Sequence, residues 1–357
     1  MEFLINEHIK NLPSKKPQFS KESNAIRLDK GELPFPPSPK VIEAITKAAT
    51  DMNRYPEILG GSLREALVGY TGTNYEQIFL GNGSDELIEL ILKIFLKPSE
   101  KVLLPIPTFF VYEFSTQLLG NSPILVSRTD NFDLDVEAIL KKITSDTKVL
   151  FIANPNNPTA NLTSRDKICQ ILDRVSNCIV VVDECYYEIS QETVVDLIDY
   201  YPNLVILRSF SKGFGLAGLR IGYGIANSTI ADSIQRTSQL FSVNKIALKA
   251  ATAALKDTSY IKSNLKKLNE EKNNLASSLT TLGLTVYPSN TNFLFVNTKF
   301  LNIPSKEIVQ FLQEMNIFIA DFGSKQGLDA YYLKITVGTH EENQILIEGL
   351  SKAIDKL

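Results

Sequence analysis

Apolar and polar positions follow two rhythms along this chain. Through its first two thirds, short solidly apolar runs alternate with stretches whose apolar residues fall three and four apart. Residues 149–153, 179–182 and 204–207 are apolar on both faces, as strands inside a parallel sheet are. Shorter runs at 77–80, 101–104 and 124–126 predict further strands, and 219–225 another. Between them, residues 84–97 place Leu87, Leu90, Ile91 and Ile94 on one helical face. Residues 164–175 and 193–200 read as crossover helices of βαβ units. Upstream, Pro34, Pro36, Pro37 and Pro39 force an extended segment. A helix over 39–52 follows, with Val41, Ile45, Ala48 and Ala49 on one side.

From about residue 260 the rhythm changes. A long helix rich in Lys, Glu and Asn runs to Leu282 and stops at Gly283, a C-cap signal. Val286, strands at 293–296, 317–320 and 332–337, a helix at 305–315 and a last helix from Glu341 make a mixed α+β unit. The expected organisation is an N-terminal arm (1–20), a large α/β domain (46–261) and a small domain (21–45 with 262–357). The proline-rich segment packs beside the small one.

Composition narrows the function. The chain has 357 residues, 44% of them hydrophobic and 22% charged, enough for a core without staples. With 37 basic and 40 acidic side chains it lacks the basic field that nucleic acid would demand. No apolar run approaches the roughly 20 residues that span a bilayer, and the acidic N-terminus has no basic leader pattern. Cys169, Cys178 and Cys185 form no CxxC pair, which favours a reducing, cytoplasmic setting without a zinc site. Two histidines, His8 and His340, cannot build a multi-histidine metal centre, so no metal is expected. His8 reads as solvated, His340 as a cap or surface residue, and Cys185 as a small buried thiol.

In an open α/β sheet, ligands bind beyond the carboxyl ends of the strands. There, residues 149–153 run into Asn154-Pro155-Asn156-Asn157-Pro158-Thr159. Residues 179–182 run into Asp183-Glu184-Cys185-Tyr186, and 204–207 into Arg208-Ser209-Phe210-Ser211-Lys212. Taken singly, these are a turn, a helix cap and a solvated lysine. Together they bring an amide, a carboxylate and an amine to one crevice. A fourth piece, Gly81-Asn82-Gly83-Ser84-Asp85-Glu86, opens the 84–97 helix, and a glycine turn before a helix N-terminus suits a phosphate. The third glycine of a dinucleotide fingerprint is replaced by Glu86. The set suits pyridoxal phosphate: an amine for its aldehyde, a carboxylate for its ring nitrogen, and donors for its phosphate.

With these motifs, and with Gly218-Leu219-Arg220-Ile221-Gly222-Tyr223, the chain resembles the fold-type I pyridoxal-phosphate enzymes. Within them it is similar to the histidinol-phosphate aminotransferase-like branch of class I/II aminotransferases, from about Leu28 to the C-terminus. The resemblance implies a mostly parallel seven-stranded sheet between helices and a smaller α+β C-terminal domain. It implies Lys212 as the Schiff-base lysine and proton carrier, and Asp183 on the ring nitrogen. Asn157 and Tyr186 would sit on the ring hydroxyl, and Phe109, where most relatives have Tyr, would stack on the ring. Gly83, Ser84, Asp85, Ser209, Ser211 and Arg220 would surround the phosphate. Tyr55 would reach the neighbouring subunit's phosphate, which implies a homodimer. The partners would be a small amino substrate and a 2-oxo acid.

The departures bear on substrate choice. Where the family pattern has Leu-Arg-Ile-Thr-Val-Gly-Thr, this chain has Leu333-Lys334-Ile335-Thr336-Val337-Gly338-Thr339, and no arginine follows Arg236. Lysine is a point charge and cannot make the bidentate fork. The family's Asn-Glu-Asn-Pro is Gly31-Glu32-Leu33-Pro34, so an acid persists near the substrate. Glu32, Asn157 and Lys334 are therefore expected to contact substrate. A neutral or cationic distal group is expected in place of a phosphate. The alternative on the same scaffold is a lyase or cyclase, since substrate orientation decides which bond breaks.

Overall fold

The computed structural model describes residues 4–13 and 25–357. The remaining residues of the expected arm (1–3 and 14–20), and 21–24 of the expected small domain, lie outside the described residues. Among the described residues, twelve strands form two sheets. In chain order they are β1 (Ile26–Leu28), β2 (Ile78–Gly81), β3 (Lys101–Ile106), β4 (Pro123–Ser127), β5 (Thr147–Ala153), β6 (Ile179–Asp183), β7 (Leu204–Ser209), β8 (Gly222–Ala226), β9 (Thr285–Val286), β10 (Phe293–Asn297), β11 (Ile317–Asp321) and β12 (Tyr332–Thr336). The larger sheet has the order β2-β8-β7-β6-β5-β3-β4 and is parallel except for β8. This is the mostly parallel seven-stranded sheet expected.

Period-two alternation sorts its side chains to two helical layers. Leu150, Ile152, Val180, Val182, Leu204 and Ile206 face one layer, and Val149, Phe151, Val181, Val205 and Leu207 the other. The strands are apolar on both faces because both are covered. Register is what makes the site: Ala153 pairs with Asp183 and Asp183 with Leu207, so the segments that follow β5, β6 and β7 leave from one edge.

The smaller sheet has the order β1-β11-β12-β10-β9, with β1 parallel to β11. Leu28 is in its core, and Leu33 and Phe35 of the proline-rich segment pack against it. The helix Pro39–Ala49, capped by Ser38 on the Val41 amide, crosses the boundary expected at 45/46. Its Val41 sits in the core beneath the larger sheet. The helix Thr258–Thr281 joins the units, with Ile261 in one core and Leu268 in the other.

Several local expectations are corrected. Residues 193–200 form only a single 3-10 turn, Val195–Leu197. The buried Glu184 carboxylate draws the Val194 amide and the Thr193 hydroxyl to itself, both at 2.8 Å, and holds the segment out of a helix. Strand β8 begins at Gly222, because Arg220 stands in the left-handed region at φ 51° after a 3-10 turn. The helices Phe110–Leu118, Val136–Lys142, Ser228–Thr237 and Lys245–Leu255 were not read from the pattern. His8 is half-buried, its ring against Gly120, and is not freely solvated. His340 opens the last helix, exposed, with its ring 3.3 Å from Glu271.

Candidate active site

A cleft of about 580 Å³ opens beyond the carboxyl ends of β5, β6 and β7, within the range of small-molecule sites. Of the residues singled out, Glu32, Ser84, Asp85, Phe109, Asn157, Asp183, Tyr186, Ser209, Ser211, Lys212, Arg220 and Lys334 line it. Gly83 lies just behind, at the start of the helix Ser84–Phe95. Tyr55 is not in this cleft. It is 80% exposed, stacks on Phe241 at 4.5 Å and lines a separate surface hollow.

Asp183 ends β6 and is 5% exposed. Its Oδ2 accepts from the Tyr112 hydroxyl at 2.6 Å and its Oδ1 from the Cys185 amide at 3.1 Å. Burial pushes its carboxyl above the ordinary value, and these hydrogen bonds oppose the rise. No cationic side chain pairs with it among the described residues. A buried carboxylate of this kind is costly unless a cation meets it.

The helix Ser84–Phe95 starts at Gly83 (φ 80°) with no side chain bonded to its first amides. A Cβ on Gly83 would lie 2.6 Å from the Arg220 guanidinium, and one on Gly222 would lie 2.6 Å from the Ser84 amide. The glycines thus leave free a cradle of amides and guanidinium. Asp85 holds Arg220 at 3.1 Å. Ser209 accepts from the Ser211 amide at 3.1 Å, and both are buried.

Lys212 donates to the carbonyls of Lys30 and Gly31 at 3.1 and 3.0 Å. Burial holds its ammonium pKa below the ordinary value. Lys334, on β12, is also buried. Its ammonium is lowered to about 8, by burial first and then by repulsion from Lys212. Its closest acceptor is Asn157 Oδ1 at 3.4 Å, and it faces the rings of Phe293 and Phe322. A buried cation without a close anion fits an anionic ligand group.

Three features were not assigned from sequence. Tyr112 holds Asp183, and its place one helical turn past Phe109 was the available signal. Asn292 anchors the Gly31 and Glu32 carbonyls at 2.9 and 3.2 Å, and the polar run Ser289-Asn290-Thr291-Asn292 before a buried strand pointed to it. Arg208 and Glu184 form a fully buried pair at 2.9 Å that ties β7 to the segment after β6. Cys185 lines the cleft and lies 3.4 Å from Ser84 Oγ. Burial and Asp183 push its thiol up, so it stays neutral.

The residues fit pyridoxal phosphate. Asp183 lacks only the cation that a protonated ring nitrogen supplies. The helix N-terminus beside Arg220 suits an anionic phosphate. The half-buried Lys212 amine lines the same cleft. The architecture and this arrangement define a fold-type I pyridoxal-phosphate-dependent transferase.

Comparison with known proteins narrows the class. Residues 23–350 match the family Aminotransferase class I and II, and the chain belongs to it. It is a pyridoxal-phosphate-dependent aminotransferase; such enzymes pair an amino substrate with a 2-oxo acid and are typically dimeric. It is 38% identical over 332 residues to the histidinol-phosphate aminotransferase of Methanocella arvoryzae, covering 93% of this chain and 90% of that protein. The enzyme of that name from Thermoanaerobacter pseudethanolicus is 35% identical, with 99% of each chain covered. Among solved structures, histidinol-phosphate aminotransferase from Sinorhizobium meliloti in complex with pyridoxal 5′-phosphate superposes with a TM-score of 0.90 at 26% identity. That superposition covers 98% of this chain and 97% of that one. No described helix is long and apolar enough to cross a membrane.

Proposed function

We propose that this aminotransferase acts on an amino substrate whose distal group is neutral or cationic rather than phosphorylated. The observation that carries the reading is the cation set of the cleft. Arg220 is the single arginine among the lining residues, and it is tied to Asp85 at the phosphate-cradle end. The other cations are Lys30, Lys212 and Lys334, and Asp29 and Glu32 add negative charge. One buried lysine suits one carboxylate; a dianionic phosphate ester calls for the fork of an arginine. Asp29 and Glu32 then favour a distal amine, guanidine or alcohol over a phosphate.

Pyridoxal phosphate supplies an electrophilic aldehyde and an electron-accepting ring. The chain's residues do the rest. Asp183, held by Tyr112 and the Cys185 amide, would keep a positive charge at the ring nitrogen. Phe109 would pack against the ring, and Asn157 and Tyr186 would bond its hydroxyl. Ser84, Ser209, Ser211, Arg220 and the amides after Gly83 would hold the phosphate. Lys212 is the catalytic amine; once free, it carries the proton from the substrate carbon. Lys334 beside Asn157 receives the substrate's anionic group. In a homodimer, the exposed Tyr55 is available to the neighbouring subunit's phosphate.

The test compares kcat/KM for histidinol phosphate with that for unphosphorylated amino donors carrying neutral and cationic side chains, with 2-oxoglutarate as acceptor. The reading expects an unphosphorylated donor to be favoured by at least about tenfold, the worth of one charged contact. Preference for histidinol phosphate overturns it.

A further inference from the structure

One network near the cleft has no part yet in the chemistry. Asn292, fully buried just before β10, donates its amide to the carbonyls of Gly31 (2.9 Å) and Glu32 (3.2 Å). Thr336 Oγ1, on β12, accepts the Gly31 amide at 2.9 Å. The 30–32 backbone is thus pinned from two strands of the smaller sheet. On its other side the carbonyls of Lys30 and Gly31 both accept from Lys212 Nζ. The Gly31 oxygen is shared between Asn292 and Lys212.

Gly31 stands at φ +66°, a conformation that favours glycine. A Cβ there would lie 3.3 Å from Lys212 Nζ and 3.8 Å from both Asn292 Oδ1 and Tyr186 Oη. The missing side chain leaves a small polar space between these three groups. Asn292 Oδ1 is buried and has no partner.

We propose that Asn292 is a positioning residue: by holding the Gly31 and Glu32 carbonyls it fixes the 30–32 backbone, so that the Lys30 and Gly31 carbonyls form a berth for the Lys212 ammonium whenever that amine is free of the cofactor. The inference rests on Lys212 being the catalytic amine. Two carbonyl acceptors stabilise an ammonium over an amine, and so oppose the desolvation that makes a buried lysine a poorer base. The surroundings alone do not settle its charge. Glu32 and Asp85 favour the ammonium, while Arg220 and Lys334 disfavour it. In the berth the amine that takes a proton from the substrate carbon keeps it at a fixed place. No other group need be oxidised, reduced or released.

The experiment uses Asn292→Ala and the uncharged, similarly sized Asn292→Leu, neither of which can donate to the carbonyls, with Gly31→Ala to fill the space. Lys212 basicity is read first, without any turnover, in cofactor-free protein. Acetic anhydride labels the amines at a series of pH values, and peptide mass spectrometry scores Lys212 against surface lysines. The expected result is a Lys212 midpoint moved to lower pH, to an at least about tenfold higher proton concentration, in both Asn292 variants. In loaded enzyme, the conversion of the cofactor by a donor slows at least about tenfold, with a larger isotope effect from donor deuterated at the reacting carbon. KM and cofactor affinity stay near wild type. Gly31→Ala slows the same step, because the amine loses its space. An unchanged Lys212 midpoint and isotope effect in Asn292→Leu overturn the berth. Borohydride reduction of the loaded variants, followed by peptide mapping, separates the two failures. Cofactor fixed to a residue other than Lys212 overturns the assignment of Lys212 itself.

Discussion

Glu188 offers a quantitative test of how this fold tolerates buried charge. It lies five residues beyond Asp183 and is 4% exposed. The Tyr70 hydroxyl donates to its Oε1 at 3.1 Å, while its Oε2 is buried without a partner. Gly213, next to Lys212, packs so closely that a Cβ there would meet Glu188 Cβ at 2.3 Å. Burial drives its carboxyl from an ordinary 4.5 to about 7, with Arg208 opposing. An acid whose folded pKa is raised takes up a proton on folding. Its stabilising contribution is therefore complete below about 4.5 and is lost as pH rises through about 7. At about 1.4 kcal/mol per tenfold change, the loss amounts to about 3 kcal/mol. Glu188→Gln is isosteric and carries no charge, so it should be immune to that loss. Urea titrations of wild type and variant at about pH 5 and about pH 8 read the difference. The variant should gain about 2.5 kcal/mol relative to wild type between the two values, most of it below pH 7. A stability difference independent of pH would refute the reasoning, and would mean that Arg208 keeps the carboxylate charged throughout.

Other consequences follow from the same contacts. Tyr112→Phe removes one of the two hydrogen bonds to Asp183. A bond to a charged acceptor is worth about 1.5–3 kcal/mol. Equilibrium titration should show cofactor binding weakened by roughly 10- to 100-fold, with the fold unchanged by circular dichroism. Lys334, lowered to about 8, loses its charge as pH rises through that value. KM for a carboxylate-bearing donor should accordingly climb above about pH 8, and Lys334→Met should raise KM at neutral pH and flatten that limb.

Much of the scaffold was legible in the pattern because its strands are buried on both faces. The apolar runs at 149–153, 179–182 and 204–207 lie inside β5, β6 and β7, and their polar ends mark the site. What escaped was set by tertiary contact. The helix Lys245–Leu255 packs on the helices Pro39–Ala49 and Gly61–Thr71, so its alanine-rich surface carries little amphipathic signal. Residues 193–200 had a helical pattern, but Glu184 claims their first donors. Asn292 and Gly31 meet across 261 positions of sequence, a distance no local motif spans. The cofactor-site residues stood out because phosphate, ring nitrogen and aldehyde each demand a particular functional group. The substrate end demands only charge and shape, and there a lysine in place of an arginine carries most of the information.

The most direct test mixes purified, cofactor-loaded protein with an amino donor in a single turnover. Wild type should convert the cofactor stoichiometrically to its amino form, and a 2-oxo acid should restore it. Lys212→Ala should fail to convert it at a measurable rate. Conversion by Lys212→Ala at the wild-type rate would contradict the account. So would wild-type consumption of donor with the cofactor left unchanged, because amino transfer cannot proceed without that change.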